Sequence, residues 1–184
     1  MIEPQVILVN EADEPVGTME KMEAHRKGML HRAFSVFIFN SEGRMLLQQR
    51  ALKKYHGGGL WSNACCSHPY PGEATEAAAS RRLTEELGFK TGLKKVFDFT
   101  YRAAVENDLI EHEFDHVFVG IYDGPVEVNE DEVAAYGYET IPALKEALEQ
   151  TPANFTAWFR LIFPRMKAWW QEEFVAKEHK AVSV

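Results

Sequence analysis

The sequence predicts an α+β fold. Segments rich in β-branched and aromatic residues outnumber the helical segments, and the best helical segment, residues 75–87, stands alone in the middle of the chain. The chain has 184 residues, of which 46% are hydrophobic, and this suits one domain, 1–184, with a core of ordinary size. The expected architecture is therefore a single domain in which strands supply most of the elements.

The first half of the chain contains three predicted strands and one loop. Short apolar or aromatic runs predict strands at 6–10, 33–39 and 45–50. Gly17 closes a hairpin after the first run, and the polar turn 40–43 joins the other two into a central hairpin. The three consecutive glycines 57–59 predict a flexible loop that leads to Trp61 and then to two adjacent cysteines.

The second half begins with the predicted helix 75–87, for which Thr75 is the expected N-cap and Gly88 the expected stop. Predicted strands at 94–102 and 113–122 flank a turn at 106–108. The remaining predicted elements are a strand at 133–139, a helix at 143–149 and an amphipathic C-terminal helix from about Pro164, within 164–180.

The composition excludes several classes of partner. A formal net charge of −8 disfavours nucleic acid and anionic membranes, because both bind basic surfaces. The chain contains no apolar run of the roughly 18 residues that a membrane span needs, and no leader pattern at its start. A cytoplasmic protein with reduced thiols at Cys65 and Cys66 is expected, and the choice between monomer and homodimer stays open.

The central helix and the residues before it resemble the Nudix box, Gly-x5-Glu-x7-Arg-Glu-U-x-Glu-Glu-x-Gly-U, in which U is aliphatic. The matching residues are Glu73, Arg81, Leu83, Glu85, Glu86 and Gly88. Ser67 replaces the first glycine, and Arg82 replaces the glutamate that follows Arg81. Nudix hydrolases hold divalent cations against a diphosphate with helical carboxylates, so a cation at this position should cripple hydrolysis. The sequence therefore indicates a diphosphate-binding frame with different chemistry.

Histidines and glutamates outside the helix form a candidate metal site. Its members are His25, His31, His68, Glu111 and Glu113. The two glutamates are two residues apart on a predicted strand, so both side chains leave the same face. Imidazole and carboxylate ligands together suit Mn²⁺ or Zn²⁺, or Mg²⁺ where carboxylates dominate. Spacing alone leaves open the alternative that these are ordinary exposed side chains.

Other residues are candidates for catalysis and phosphate binding. Either Cys65 or Cys66 could be a functional thiol, although a free cysteine is often only a small buried hydrophobe. The candidate phosphate clamp consists of Lys21, Arg50, Lys53, Lys54 and Arg82, each of which could also be a solvated surface charge. Glu86 could hold Mg²⁺ against that phosphate, and Glu85 is the competing candidate.

With these residues in view, the chain from about 6 to 163 is similar to the type 1 isopentenyl-diphosphate delta-isomerases, which are Nudix-fold relatives that isomerise their substrate. The resemblance rests on motifs that occur in one order. They are Glu20-Lys21-x3-His25, Leu30-His31-Arg32-Ala33-Phe34-Ser35, Leu47-x2-Arg50-Ala51, Trp61-x-Asn63, Cys65-Cys66-Ser67-His68-Pro69, Glu85-Glu86-Leu87-Gly88, Tyr101-Arg102-Ala103, Glu111-x-Glu113 and Phe155-x2-Trp158-Phe159. The resemblance implies a mixed β-sheet core flanked by helices. It also implies the interconversion of isopentenyl and dimethylallyl diphosphates through a carbocation.

The resemblance assigns roles residue by residue. It implies catalysis by Cys66 and Glu113, with the Tyr101 hydroxyl assisting. It implies that His25, His31, His68, Glu111 and Glu113 bind Mn²⁺, Mg²⁺ or Zn²⁺. Glu86, with the Cys66 carbonyl, matches the site of a Mg²⁺ ion that arrives with the substrate diphosphate. Lys21, Arg50, Lys54 and Arg82 match the diphosphate clamp, and Trp158 matches the aromatic wall over the reacting carbons.

The sequence departs from the family pattern at two places and leaves two alternatives in function. The glycines at 57–59 lack the proline often found there, and Lys53 lies beside Lys54, so either lysine could bind the diphosphate. Which of Cys66 and Glu113 gives the first proton stays open. The alternatives are a Nudix hydrolase, against which Arg82 argues, and a diphosphate-binding protein without catalysis.

Overall fold

The computed structural model describes residues 4–175. Within this range the chain forms nine strands and four α-helices. The strands are β1 (Gln5–Val9), β2 (Pro15–Glu20), β3 (His31–Phe39), β4 (Met45–Arg50), β5 (Trp61–Asn63), β6 (Cys65–Ser67), β7 (Lys94–Val105), β8 (Leu109–Ile121) and β9 (Val133–Glu139). The helices are α1 (Lys21–Lys27), α2 (Thr75–Leu87), α3 (Ile141–Gln150) and α4 (Ala157–Trp170). This is an α+β fold, as the sequence predicts.

Strand β3 organises the sheet. It runs parallel to β8 from the pair His31 and Glu113 to the pair Phe39 and Ile121, and antiparallel to β6 with Ser35 opposite Cys66. Strand β8 is also one arm of a long antiparallel hairpin with β7. A parallel pair cannot be joined by a tight turn, so β3 and β8 meet only through long-range folding. The sheet is mixed, as the family resemblance implies.

Alternation along β3 divides the core into two layers. Phe34, Val36 and Ile38 belong to the cluster that packs against α2. Phe37 and Phe39 belong to the cluster that packs against α4. His31 and Ser35 share the second face because side chains two apart on a strand leave the same side. The polar site described below is therefore the open end of the layer that α4 covers.

Several predicted elements differ from the structure in detail. The segments 33–39 and 45–50 are strands, but their pairing is limited to Phe39 and Met45, because β8 and β6 occupy the edges of β3 instead. Ala74 is the N-cap of α2, and Thr75 is its first helical residue. The segment 61–67, which follows the glycine loop and for which no strand was predicted, forms β5 and β6, and α1 was not predicted either.

The C-terminal helix begins earlier than predicted. Helix α4 starts at Ala157, and Pro164 lies inside it. Proline removes one backbone hydrogen bond from a helix, but buried Phe159 and Phe163 before this position and buried Met166 after it anchor the helix to the core. The predicted continuation beyond residue 175 lies outside the described residues. No helix in residues 4–175 is long and apolar enough to cross a membrane.

Candidate active site

The five predicted metal ligands come together at one end of the sheet. His25 lies on α1, His31 begins β3, His68 follows β6, and Glu111 and Glu113 lie on β8. One potential ligand atom from each residue lies within 4.8 Å of all the others. The parallel register of β3 and β8 causes this, because it places His31 directly beside Glu113.

The imidazole rings are held so that ring nitrogens face the cluster. His25 Nδ1 lies 2.6 Å from the Lys21 carbonyl oxygen, and His31 Nδ1 lies 2.8 Å from that of Met29. A carbonyl only accepts, so each Nδ1 carries a proton, and each Nε2 is the ring nitrogen turned toward the cluster. Burial, followed by the nearby charge of Lys21, lowers the pKa of His68 well below its ordinary value, so the neutral form of this ring is favoured.

The arrangement of these side chains suits ligation of a divalent metal ion better than hydrogen bonding among the side chains themselves. His25 Nε2 and Glu111 Oε2 lie 3.1 Å apart, and both are buried without a hydrogen bond. His31 Nε2 lies 3.1 Å from His68 Nε2, and His68 Nε2 lies 2.9 Å from Glu113 Oε1. Imidazole nitrogens and carboxylate oxygens that converge on one buried point can be satisfied together by a bound cation. The cluster therefore has the donor set of a divalent metal site.

Glu113 also belongs to the reactive part of the pocket. The Tyr101 hydroxyl donates a 2.7 Å hydrogen bond to Glu113 Oε2, because Tyr101 lies opposite Glu113 in the β7–β8 hairpin. Burial raises the pKa of Glu113, but contacts with His31 and the Tyr101 hydroxyl outweigh burial and bring that pKa to about 2. The pKa of Tyr101 is raised well above its ordinary value by burial and by Glu113, so the hydroxyl keeps its proton.

Cys66 faces the pocket, and Cys65 does not. Successive residues of β6 point to opposite faces, so Cys65 is buried in the core beside α2, whereas Cys66 lines the pocket. Cys66 Sγ donates to Asn63 Oδ1 over 3.1 Å and lies 3.5 Å from Ser35 Oγ. Burial and the nearby Asp115 raise the pKa of Cys66 to about 12, so the neutral thiol is the form at neutral pH.

The pocket encloses about 500 Å³, counting its open mouth. Its walls bring together the remaining predicted residues, which are Lys21, Arg50, Lys54, Arg82, Glu86 and Trp158. Lys53 is absent from the wall, and its side chain is 65% exposed where it pairs with Asp131. Between the two adjacent lysines, the structure therefore places Lys54 in the pocket.

The cations of the pocket lie against carboxylates and aromatic rings. Arg82 Nη2 lies 2.5 Å from Glu86 Oε1 and 3.3 Å from Glu132 Oε2, and Lys54 also pairs with Glu132. The Arg50 guanidinium lies 5.0 Å from the centre of the Trp158 ring. A basic surface of this kind can bind an anion although the whole chain is acidic.

The two neighbouring glutamates of α2 have different environments. Glu86 is 4% exposed, lines the pocket, and accepts a 2.9 Å hydrogen bond from Gln48 Nε2. Glu85 is directed outward, where it pairs with Arg81, which also binds Glu73. The outer face of α2 thus keeps the ion pairs of the Nudix frame, and its inner face presents Glu86 and Arg82 to the pocket.

Sequence reasoning missed His56. Its side chain is buried, and its Nε2 lies 2.5 Å from Glu111 Oε1, on the carboxylate oxygen that His25 does not approach. Its ring also meets the Trp158 ring edge to face at 5.5 Å. A histidine beside three glycines was the available signal, because a ring in such a loop can fold back onto a site. Tyr55 in the same loop was missed as well and also lines the pocket.

Comparison with known proteins agrees with this geometry. Residues 29–159 match the family model of the NUDIX domain. The chain is 54% identical over 167 residues to the isopentenyl-diphosphate Delta-isomerase of Pectobacterium atrosepticum, covering 91% of this chain and 93% of the relative. It is also 54% identical over 164 residues to the enzyme of the same name from Burkholderia multivorans, covering 89% and 93% of the two chains.

Solved structures share the fold. The crystal structure of DR0079 from Deinococcus radiodurans superposes with a TM-score of 0.73 at 21% identity, covering 88% of this chain and 98% of that one. A MutT protein from Methanosarcina mazei superposes with a TM-score of 0.62 at 18% identity, covering 76% and 94% of the two chains. At these identities the likeness concerns the fold alone.

Proposed function

The chain belongs to the isopentenyl-diphosphate Delta-isomerase family of NUDIX-domain proteins, and we propose that it interconverts isopentenyl diphosphate and dimethylallyl diphosphate with Cys66 and Glu113 as its proton-transfer groups. One observation carries the proposal. A protonated thiol and an ionised carboxylate, from strands on opposite sides of β3, line the same pocket as a group of cations and an indole ring. This combination suits proton addition and removal on an anchored hydrocarbon.

The substrate's diphosphate would bind among Lys21, Arg50, Lys54 and Arg82. Arginine forks and lysine ammonium groups recognise phosphate oxygens, and all four side chains line the pocket. Lys54 and Arg82 both form ion pairs with Glu132, so the two cations lie close together. A diphosphate held there would leave its short branched hydrocarbon directed to Cys66, Glu113 and Trp158.

The chain has ligands for two divalent ions. His25, His31, His68, Glu111 and Glu113 would hold one ion, for which Mn²⁺, Zn²⁺ and Mg²⁺ all suit the mixed donor set. Glu86, with the Cys66 carbonyl, would hold a Mg²⁺ ion that arrives with the diphosphate. Bound divalent ions supply positive charge that neutralises the diphosphate and keeps the ligating carboxylates ionised.

The reaction moves two protons. In one direction, a proton adds to the terminal alkene carbon of isopentenyl diphosphate and gives a tertiary carbocation. A second proton then leaves the allylic carbon next to the carbon that bears the diphosphate, and the double bond forms there. Cys66 and Glu113 serve one step each, with Tyr101 passing a proton to or from Glu113. The reverse reaction uses the same groups in the opposite roles.

Trp158 forms the wall that a carbocation needs. Its side chain is 5% exposed, and its ring can stabilise a desolvated cation by about 2 kcal/mol or more without acting as a nucleophile. Water or a nucleophilic oxygen in this position would trap the cation. The buried indole therefore both stabilises the intermediate and excludes water from it.

Hydrolysis is disfavoured by one residue. Arg82 occupies the place of a glutamate in the Nudix box and forms an ion pair with Glu86. A cation there neutralises the carboxylate cluster on which metal-assisted attack by water depends. The same residue lines the pocket as part of the diphosphate clamp, so the loss of hydrolytic chemistry and the gain of substrate binding occur at one position.

A solvent-labelling experiment tests the proposal. Protein with Mg²⁺ and Mn²⁺ is incubated with isopentenyl diphosphate in deuterated water, and NMR follows deuterated dimethylallyl diphosphate and released phosphate. We expect deuterated product from the wild type and a loss of about 10²- to 10⁴-fold in kcat for Cys66→Ala and Glu113→Gln.

The adjacent Cys65→Ala variant is the matched control, because Cys65 is buried in the core away from the pocket. It should retain kcat within about threefold of wild type, since it removes a thiol that faces the other side of β6. Phosphate release without isomerisation would instead support a hydrolase. Full turnover by Cys66→Ala would remove Cys66 from the mechanism.

A further inference from the structure

A chain of hydrogen bonds behind the pocket wall joins the indole of Trp158 to the thiol of Cys66. Trp158 Nε1 donates to Ser62 Oγ over 2.9 Å, and Ser62 Oγ donates to Asn63 Oδ1 over 3.0 Å. Cys66 Sγ donates to the same Asn63 oxygen over 3.1 Å. Two groups that meet the reacting carbons from different elements, α4 and β6, are thus connected through two buried side chains.

The two connecting side chains have no unused hydrogen-bonding capacity. Ser62 Oγ uses its one proton toward Asn63 and accepts from both Trp158 and Thr156, the latter over 3.1 Å. Asn63 Nδ2 donates to the carbonyl oxygens of Val36 and Cys65, each over 3.1 Å. Ser62 is 2% exposed and Asn63 is 0% exposed, so water does not compete for these bonds.

This arrangement determines which way the Asn63 amide faces. Two carbonyl oxygens lie against one end of the amide, and a carbonyl accepts only, so that end must be the NH₂ group. The oxygen must then face Ser62 and Cys66. Reversing the amide would place its oxygen against two carbonyls and its NH₂ group against donors. The direction of the bond from the Cys66 thiol is therefore imposed by the backbone of β3 and β6.

The backbone attaches the start of α4 to the same place. Thr156 N donates to the Trp61 carbonyl oxygen over 3.0 Å, and Phe155 forms a parallel bridge with Trp61. Ser62 and Asn63 are the next two residues of β5, and a single residue, Ala64, separates β5 from β6. The aromatic wall and the thiol are thus built on one short, buried segment.

We infer that Ser62 and Asn63 are positioning residues that hold the Cys66 thiol and the Trp158 indole in a single relative geometry. The inference rests on the proposed function, since it concerns where the proton-transfer group and the cation-stabilising ring stand relative to one substrate. A fixed geometry matters because a displacement of about 1 Å in a reacting group can reduce a rate by about 10²-fold. Neither Ser62 nor Asn63 lines the pocket, so both act through their neighbours.

The test compares Ser62→Ala with Thr156→Val. Both remove one buried hydroxyl from the same cluster, but only Ser62→Ala interrupts the chain between Trp158 and Cys66. We expect Ser62→Ala to lower kcat about 10- to 100-fold with KM within about threefold, and Thr156→Val to change kcat less than about threefold. Ser62→Thr keeps a hydroxyl on Cβ, so we expect this variant to retain most of the wild-type kcat.

A second readout follows the thiol without the reaction. Iodoacetamide alkylation of Cys66, followed by mass spectrometry of the intact protein and its peptides, should be at least about threefold faster in Ser62→Ala and Asn63→Ala, because the thiol is no longer held against the wall. Thr156→Val should alkylate at the wild-type rate. Melting temperatures of all variants separate a loss of positioning from a loss of folding.

The inference would be overturned if Ser62→Ala matched Thr156→Val in kcat and in alkylation rate, or if KM alone changed. A proportional loss of kcat and melting temperature in both variants would also overturn it, since a purely structural role predicts that result. If the wild type failed to isomerise the substrate, the proposed function would fail. The alkylation comparison would still decide whether Ser62 and Asn63 hold the thiol.

Discussion

Two groups of buried polar side chains border the pocket, and they differ in how completely their hydrogen bonds are satisfied. In the metal-ligand cluster, His25 Nε2, His68 Nδ1 and Glu111 Oε2 are buried without a hydrogen-bond partner. In the chain from Trp158 through Ser62 and Asn63 to Cys66, every polar side-chain atom has a partner at hydrogen-bonding distance. Members of both groups, among them Glu113 and Cys66, line the same pocket.

The difference indicates two uses of buried polarity. An unsatisfied buried polar atom destabilises a protein, so a set of them is retained where a ligand will complete the set. A saturated network gains nothing from a ligand, but it restricts each of its members to one orientation. The first group is therefore suited to binding an ion, and the second to holding reactive groups in place.

Removing one metal ligand should have the largest effect. We expect His31→Ala to weaken divalent-metal binding by at least about 100-fold and to abolish turnover, because the remaining side chains no longer surround one point. Metal content by mass spectrometry and competition with a chelator measure the affinity. Mn²⁺ in excess should raise the melting temperature of the wild type and leave that of the variant unchanged.

His112→Ala is the matched control for this prediction. His112 lies between Glu111 and Glu113, the two proposed metal ligands on β8, but its side chain points to the other face, where Nδ1 lies 2.9 Å from the Gly28 carbonyl oxygen. Its removal should leave metal affinity within about twofold of wild type. An equal loss of metal in both variants would contradict the assignment of His31 to the cluster.

Asn63→Ala tests whether the two groups are separable. We expect the free energy of unfolding to fall by about 1–3 kcal/mol, because the substitution removes the acceptor of the buried Ser62 hydroxyl and one hydrogen bond from each of two backbone carbonyls. Metal affinity should stay within about twofold, because none of these groups is a ligand. Urea unfolding measures the free energy of unfolding, and the change in that energy on adding a chelator reports metal binding. A large loss of metal binding in this variant would show that the two groups depend on each other.

His56 sharpens the comparison, because it contacts the metal cluster from outside. His56→Ala should weaken metal binding about 10- to 100-fold, since the ring orients Glu111 from the carboxylate oxygen that His25 does not approach. Isothermal titration with Mn²⁺ is the measurement, and the turnover of metal-saturated enzyme should fall less than the affinity. An unchanged affinity would show that Glu111 is oriented by other contacts.

The ion pair of Glu73 and Arg81 lies outside both groups and sets the smallest expected effect. Hydrogen bonds from Arg81 lower the pKa of Glu73 below its ordinary value of 4.5. Glu73→Gln should therefore cost about 0.2–1 kcal/mol at pH 7. The wild type holds this stability above pH 4.5 and loses it as the pH falls through the lowered pKa. Urea unfolding of the wild type and the variant at pH 7 and pH 3 measures this difference in the free energy of unfolding. A difference that is larger at pH 3 than at pH 7 would contradict the prediction.

Much of the fold could be predicted from the sequence, because its signals are local. Runs of apolar, β-branched and aromatic residues predicted strands at β3, β4, β8 and β9, and cap and stop residues predicted α2. The missed helix α1 has seven residues and no clear apolar period. The limits of the C-terminal helix were wrong because Pro164 was taken as a helix start, whereas packing of α4 against the core tolerates it.

The sequence by itself determined which residue types are present, their order, and the family to which they correspond. The choice between adjacent candidates was decided by the tertiary structure: Cys66 rather than Cys65, Lys54 rather than Lys53, and Glu86 rather than Glu85 face the pocket. Neighbouring residues on a strand or helix point in different directions. Which direction faces the site depends on what the element packs against.

His56 and the link through Ser62 and Asn63 were also decided by tertiary structure. Each depends on contacts between segments far apart in sequence, such as Glu111 with the glycine loop and Trp158 with β5. The parallel pairing of β3 with β8 brings the candidate ligands together, although residues 40–108 separate the two strands in sequence. Local propensities cannot specify such contacts, because their free energy arises only when the whole sheet closes.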